Sequence, residues 1–140
     1  MPGKAQAVKS VPFKGFYTTT SELLKPPPIL QQRVTGTGEA TYLGESNFVA
    51  VVTVNLTTPP PFALSGTAVF TAANGDQFYT QFSGANTPNG DGTATGVLHH
   101  TIVGGTGRFE NATGSITAVV HVDPTSPTNT VDYSGEINFN

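Results

Sequence analysis

The chain has 140 residues, a formal net charge of −3 and only 11% charged residues, against about 25% in an average soluble domain. It contains no cysteine, which removes disulfides, thiolate metal sites and a cysteine nucleophile together. Six basic residues scattered along the sequence give no electrostatic footprint for nucleic acid, and no apolar run approaches the roughly 20 residues of a membrane-crossing helix.

This length is that of one domain, taken as residues 1–140 with 1–10 as a flexible N-terminal arm. It is enough to bury roughly two thirds of the surface that the unfolded chain exposes. The opening MPGKAQAVKSVPFKGF lacks the apolar core of a secretory signal. The expectation is therefore a cytoplasmic protein, or a secreted one whose leader has been removed.

From there the hydrophobic pattern has period two almost throughout, with β-branched and aromatic residues between Gly, Pro and Asn punctuation. Eight strand-like runs follow in order: Val11 to Thr20, Ile29 to Leu43, Ser46 to Leu56, Phe62 to Ala72, Gln77 to Ser83, Thr93 to Val103, Gly114 to Val122 and Thr130 to Phe139. Only Ser21 to Lys25 reads as briefly helical, stopped by Pro26 to Pro28. Asn74 to Asp76 suits a tight hairpin, whereas the prolines of Thr58 to Phe62 cannot donate ladder hydrogen bonds and Asp123 to Asn129 forces a loop.

Short strands joined as hairpins leave two open edges unless the sheet closes on itself or splits in two. An eight-stranded antiparallel barrel removes both edges, and its interior is just wide enough to be filled or to hold one small ligand. A β-sandwich is the alternative.

Alternation assigns the faces. In the last run Val131, Tyr133, Gly135, Ile137 and Phe139 share one side, and Asp132, Ser134, Glu136 and Asn138 the other. Leu98, His100 and Ile102 group together in the sixth run, Phe78 and Phe82 in the fifth. Phe48 to Val54 and Ile116 to Val120 are apolar on both faces. Such strands need cover on both sides, from the N-terminal segment or a neighbouring subunit, so a homo-oligomer, dimer or trimer, is expected.

The glycine-rich stretch Ile102 to Ile116, IVGGTGRFENATGSI, lies between two strands. A Walker A loop needs Lys-Ser/Thr after its last Gly, and a dinucleotide fingerprint needs a Gly that opens a long helix. Here Gly107 is followed by Arg108, Phe109 and Glu110, so the reading is structural. The glycines permit positive φ at a corner, Phe109 plugs one barrel end, and Arg108 and Glu110 point outward or pair with each other.

The same stretch resembles the signature loop of the allene oxide cyclase-like and dirigent-like barrel superfamily, through Gly104, Gly105, Gly107, Phe109 and Gly114. Gly38 to Gly44, Thr71 to Phe78 and Tyr133 to Phe139 further resemble uncharacterised bacterial proteins related to that superfamily. The resemblance implies an eight-stranded, calycin-like antiparallel barrel with a mainly apolar cavity and, often, a trimeric assembly. It hands over no active site: the polar pocket residues of allene oxide cyclases have no counterpart in Lys9 to Lys25, and the acidic and basic residues of dirigent pockets match no position here.

Chemistry must therefore be sought inside the barrel. His99 and His100 alternate to opposite faces and cannot share a metal from a regular strand, and His121 lies on another strand, so no metal site is expected. No cofactor is expected either. His100 is the titratable group assigned to the interior, and the one weak catalytic candidate. Glu39, Glu45 and Glu136 fit solvated strand faces, and no Gly-x-Ser-x-Gly elbow supports a serine hydrolase. Gly36, Gly38, Gly66, Gly96 and Gly135 leave space within the strands or serve strand coiling.

Three functional readings follow. The first is a small barrel that binds an apolar small molecule, with Tyr42, Phe82, His100 and Tyr133 as the lining. The second is a cofactor-free isomerase or cyclase similar to allene oxide cyclases or dirigent proteins. The third is a structural barrel with a filled core.

Overall fold

A computed structural model describes residues 9–139. The first eight positions of the expected arm lie outside the described residues, and Lys9 and Ser10 already belong to the first strand. Eight strands run in chain order: β1 Lys9–Lys25, β2 Ile29–Ala40, β3 Gly44–Asn55, β4 Phe62–Thr71, β5 Gln77–Pro88, β6 Ala94–Gly105, β7 Thr113–Val122 and β8 Asn129–Phe139. Each pairs antiparallel with the next, and β8 pairs with β1, so the sheet closes as a barrel with no free edge. Closure answers the edge problem that the sequence posed.

The segment Ser21 to Lys25 is strand, not helix. Ser21, Glu22 and Leu23 stand opposite Val34, Arg33 and Gln32 of β2, and Arg33 Nη1 donates to Glu22 Oε1 at 2.6 Å. Five residues cannot repay the nucleation of an isolated helix, whereas the β2 ladder continues to pair this segment as far as Lys25, skipping only Leu24.

The up-and-down topology sorts the loops between two ends. The β1–β2, β3–β4, β5–β6 and β7–β8 connections share one end, and the other three connections, with Phe139, share the opposite end. The first end carries Pro26, Pro27, Pro28, Pro59, Pro60, Pro61, Pro88, Pro124 and Pro127, nine of the 11 prolines. Their fixed φ stiffens the rim at that end.

The opposite end is solid. A 3₁₀ turn over Gly107–Phe109 drives Phe109 inward until nothing of it is exposed. Its ring meets Phe78 at 5.4 Å and Phe139 at 5.7 Å between centroids. Phe78 stacks on Phe70 at 4.7 Å, and Phe13 meets it edge-on. Burial of one such ring contributes about 1.5–3 kcal/mol.

Gly107 adopts φ +57, and a Cβ there would collide with the Asp76 carboxylate. That close approach lets Asp76 face Arg108, whose Nε lies 3.8 Å from Asp76 Oδ2. Arg108 also donates to the Tyr42 carbonyl oxygen. The partner of Arg108 is thus Asp76 on the neighbouring hairpin rather than Glu110.

The strand glycines serve mainly to let backbones coil past one another. A Cβ on Gly38, Gly66 or Gly135 would run into the main chain of the next strand, and one on Gly36 into the Phe48 ring. Gly96 alone among these five could take a Cβ without a clash, at ordinary contact distance, with the Val120 Cβ at 3.5 Å as its nearest neighbour.

Candidate functional site

The proline-rimmed half of the barrel is hollow. A cavity of about 330 Å³ opens there, within the size range of small-molecule sites. Inward positions of every strand build it, because alternation points every second side chain at the axis. Val34, Ala50, Val52, Leu64, Leu98 and Val120 make apolar walls, and Phe48, Phe82, His100 and Tyr133 the deep end. Thr19, Ser21, Gln32, Asn86 and Asn129 add uncharged polar atoms.

The deep end rests on the aromatic cluster of the solid half. Tyr133 meets Tyr17, Phe48 and Phe70 edge-on at 5.5, 5.8 and 5.2 Å. The Tyr17 hydroxyl is paired with Ser46 Oγ at 2.6 Å. Such edge-to-face contacts fix ring orientation as well as filling space.

His100 is 3% exposed. Its Nδ1 shares a hydrogen bond of 2.8 Å with Thr80 Oγ1, and its ring lies against Phe82 at 4.7 Å and Tyr133 at 5.6 Å. Burial among these rings penalises the imidazolium, and the neighbouring His99 adds repulsion, so the His100 pKa falls from 6.5 to about 4. The ring is therefore neutral at pH 7. Nε2 has no protein partner among the described residues, which leaves one polar atom for the lumen.

Tyr133 is held well above the ordinary tyrosine pKa, first by burial and then by Tyr17. It too is neutral at physiological pH and presents a hydroxyl rather than a phenolate. No Asp, Glu, Lys or Arg side chain lines the cavity among the described residues.

Of the four residues assigned to the lining from sequence, Phe82, His100 and Tyr133 come together at the deep end. Tyr42 does not. β2 stops at Ala40, and Tyr42 occupies the following turn with φ +67, packed against Phe139 at the solid end and 37% exposed. The alternation that placed it inside was carried three residues past the end of the strand.

His99 is exposed on the outer face, and His121 faces Asp132 at 3.3 Å on the outside of β7 and β8. Glu39, Glu45 and Glu136 are exposed as well. Asn86 and Thr80 escaped the sequence reading for different reasons. Asn86 lies beyond Ser83, where the fifth run was ended. Thr80 was in the inward phase, but its pairing with His100 depends on a register irregularity between Tyr79 and Thr80 that no alternation pattern encodes.

No family model matches this chain, and no curated protein matches it. Among solved structures, it is similar to a pterocarpan synthase dirigent protein, at 16% identity and a TM-score of 0.67. The superposition covers 99% of this chain and 93% of that one. The chain thus has the barrel fold of that dirigent protein, the fold to which the glycine-rich loop pointed.

Proposed function

We propose that the protein binds a mainly apolar small molecule in the hollow half of its barrel. The observation that carries this reading is the 330 Å³ cavity with apolar walls and a few uncharged polar atoms, the composition by which small-molecule sites combine affinity with orientation. A barrel that served only as a scaffold gains nothing from leaving half its interior unpacked, since each missing methyl group forfeits roughly 1 kcal/mol.

The test is to purify the protein from its native host, extract it with organic solvent and identify what is released by mass spectrometry, with a cavity-filled Leu98→Trp variant in parallel. A stoichiometric apolar compound present with the wild type and absent from the variant supports binding. Equal recovery from both, or none from either together with no thermal shift across a panel of apolar compounds, overturns it.

A catalytic version, a cofactor-free isomerase or cyclase, draws on His100, a neutral imidazole whose Nε2 has no protein partner at the deep end of that cavity. In it His100 relays a proton while the walls fold the substrate. His100→Gln would then retain affinity for the bound compound and lose its turnover. Loss of neither overturns the catalytic version and leaves binding untouched.

Self-association is the second part of the proposal. Val49 stands directly opposite Val69, and Val69 opposite Tyr79, forming an outward apolar row across β3, β4 and β5. Val49 is 42% exposed. Light scattering at micromolar concentration distinguishes a dimer or trimer from a monomer, and Val49→Lys should shift the mass to that of the monomer.

A further inference from the structure

The Asn86 Oδ1 is the one side-chain polar atom among the described residues that is both fully shut off from solvent and without a hydrogen-bond partner. The residue lines the cavity, directly opposite Phe62 of β4 and Gly96 of β6. Both flanks keep the amide apart from other polar groups: Phe62 offers none, and Gly96 has no side chain. Gly96 lines the cavity as well, so the space beside Asn86 on that flank belongs to the lumen.

A buried carbonyl oxygen with no donor is costly, and the cost disappears when a donor reaches it. The χ2 torsion of asparagine is soft, so a modest rotation presents Oδ1 to a molecule in the cavity. Charge selects further. Among the described side chains no Lys or Arg lines the cavity, and neutral His100 supplies no positive charge at pH 7. An anionic headgroup would enter without a counter-ion, which a low-dielectric lumen disfavours strongly.

We infer that Asn86 is a specificity-determining residue of the cavity: its Oδ1 accepts a hydrogen bond from a hydroxyl or N–H of the ligand, so the site takes neutral apolar molecules bearing a donor and rejects their carboxylate counterparts. This rests on the binding reading above and adds the chemical class of ligand to it.

Equilibrium dialysis of the full chain at pH 7.5 tests it with three probes of one ring system. These are 2-naphthol, 2-methylnaphthalene of the same shape without a donor, and 2-naphthoate. The expected result is 2-naphthoate bound weakest. The affinity ratio of 2-naphthol to 2-methylnaphthalene should fall about ten-fold in Asn86→Leu, the loss of one hydrogen bond to a buried group. Asn86→Ala, which leaves the walls unstrained, should give the same fall and serves where the leucine variant does not fold. An unchanged ratio in both variants, or 2-naphthoate bound more tightly than 2-naphthol, overturns the inference while binding itself stands. Failure of all three probes to bind the folded wild type overturns both.

Discussion

His100 Nδ1 and Thr80 Oγ1 meet at 2.8 Å inside the barrel, and that contact orients, at the base of the cavity, a ring that burial keeps neutral. Removing the hydroxyl while keeping the shape, Thr80→Val, leaves Nδ1 buried without a partner. The expected cost is about 1–3 kcal/mol, read as a lower urea midpoint with an unchanged slope.

The same histidine sets a pH dependence. Its folded pKa of about 4 lies below the 6.5 of the unfolded chain, so between these values the unfolded state binds the extra proton. Stability contributed by the neutral ring is complete above pH 6.5 and is lost as pH falls toward 4. The loss is on the order of 3 kcal/mol, from about 1.4 kcal/mol for each pH unit. Urea titrations from pH 7.5 to 4.5 should show this decline in the wild type and a flatter profile in His100→Gln. Asp91 and Asp123, lowered chiefly by hydrogen bonds from Thr93 and Thr125, lose their contributions at more acid pH and leave this window clear.

Two glycines predict opposite outcomes for one substitution. Gly96→Ala places a methyl group at ordinary contact distance from Val120 and Leu64 and should raise the melting temperature, because the unfolded chain loses freedom worth about 0.4–1 kcal/mol. Gly66→Ala drives the same group into the Val51 carbonyl and the Phe82 ring and should lower it. Calorimetry of the pair separates a glycine facing the lumen from one required by close strands.

Phe109→Ala removes the plug from the solid end. The expected destabilisation is about 3–5 kcal/mol, as for other buried aromatic deletions, measured by denaturant unfolding. The proline-rimmed cavity lies at the other end, so a ligand bound there should be retained at temperatures where the variant is still folded.

The alternation of Val131, Tyr133 and Ile137, and of Leu98, His100 and Ile102, was legible because one face of each strand is buried and the period of two is unforgiving. Phe109 was legible for a related reason: an aromatic residue in a glycine-rich corner has few places to go except inward. Ser21 to Lys25 misled because local helix propensity is weak beside a ladder of partners on β2. Tyr42 misled because a strand end is decided by the turn that follows, and its φ of +67 is not written in its side chain. What stayed hidden was the division of the barrel into solid and hollow halves. It depends on which glycines face backbone and which face space, and on strand registers that only closure of the sheet fixes.

Among the described residues, the Phe109 plug leaves the interior a single door. Whatever enters between the proline loops meets the aromatic cluster as a dead end and must leave by the way it came. Under the proposed binding, occupancy would be governed by exchange at one mouth, where a second molecule cannot enter behind the first to push it out, and the residence time of a guest would be a property of the rim.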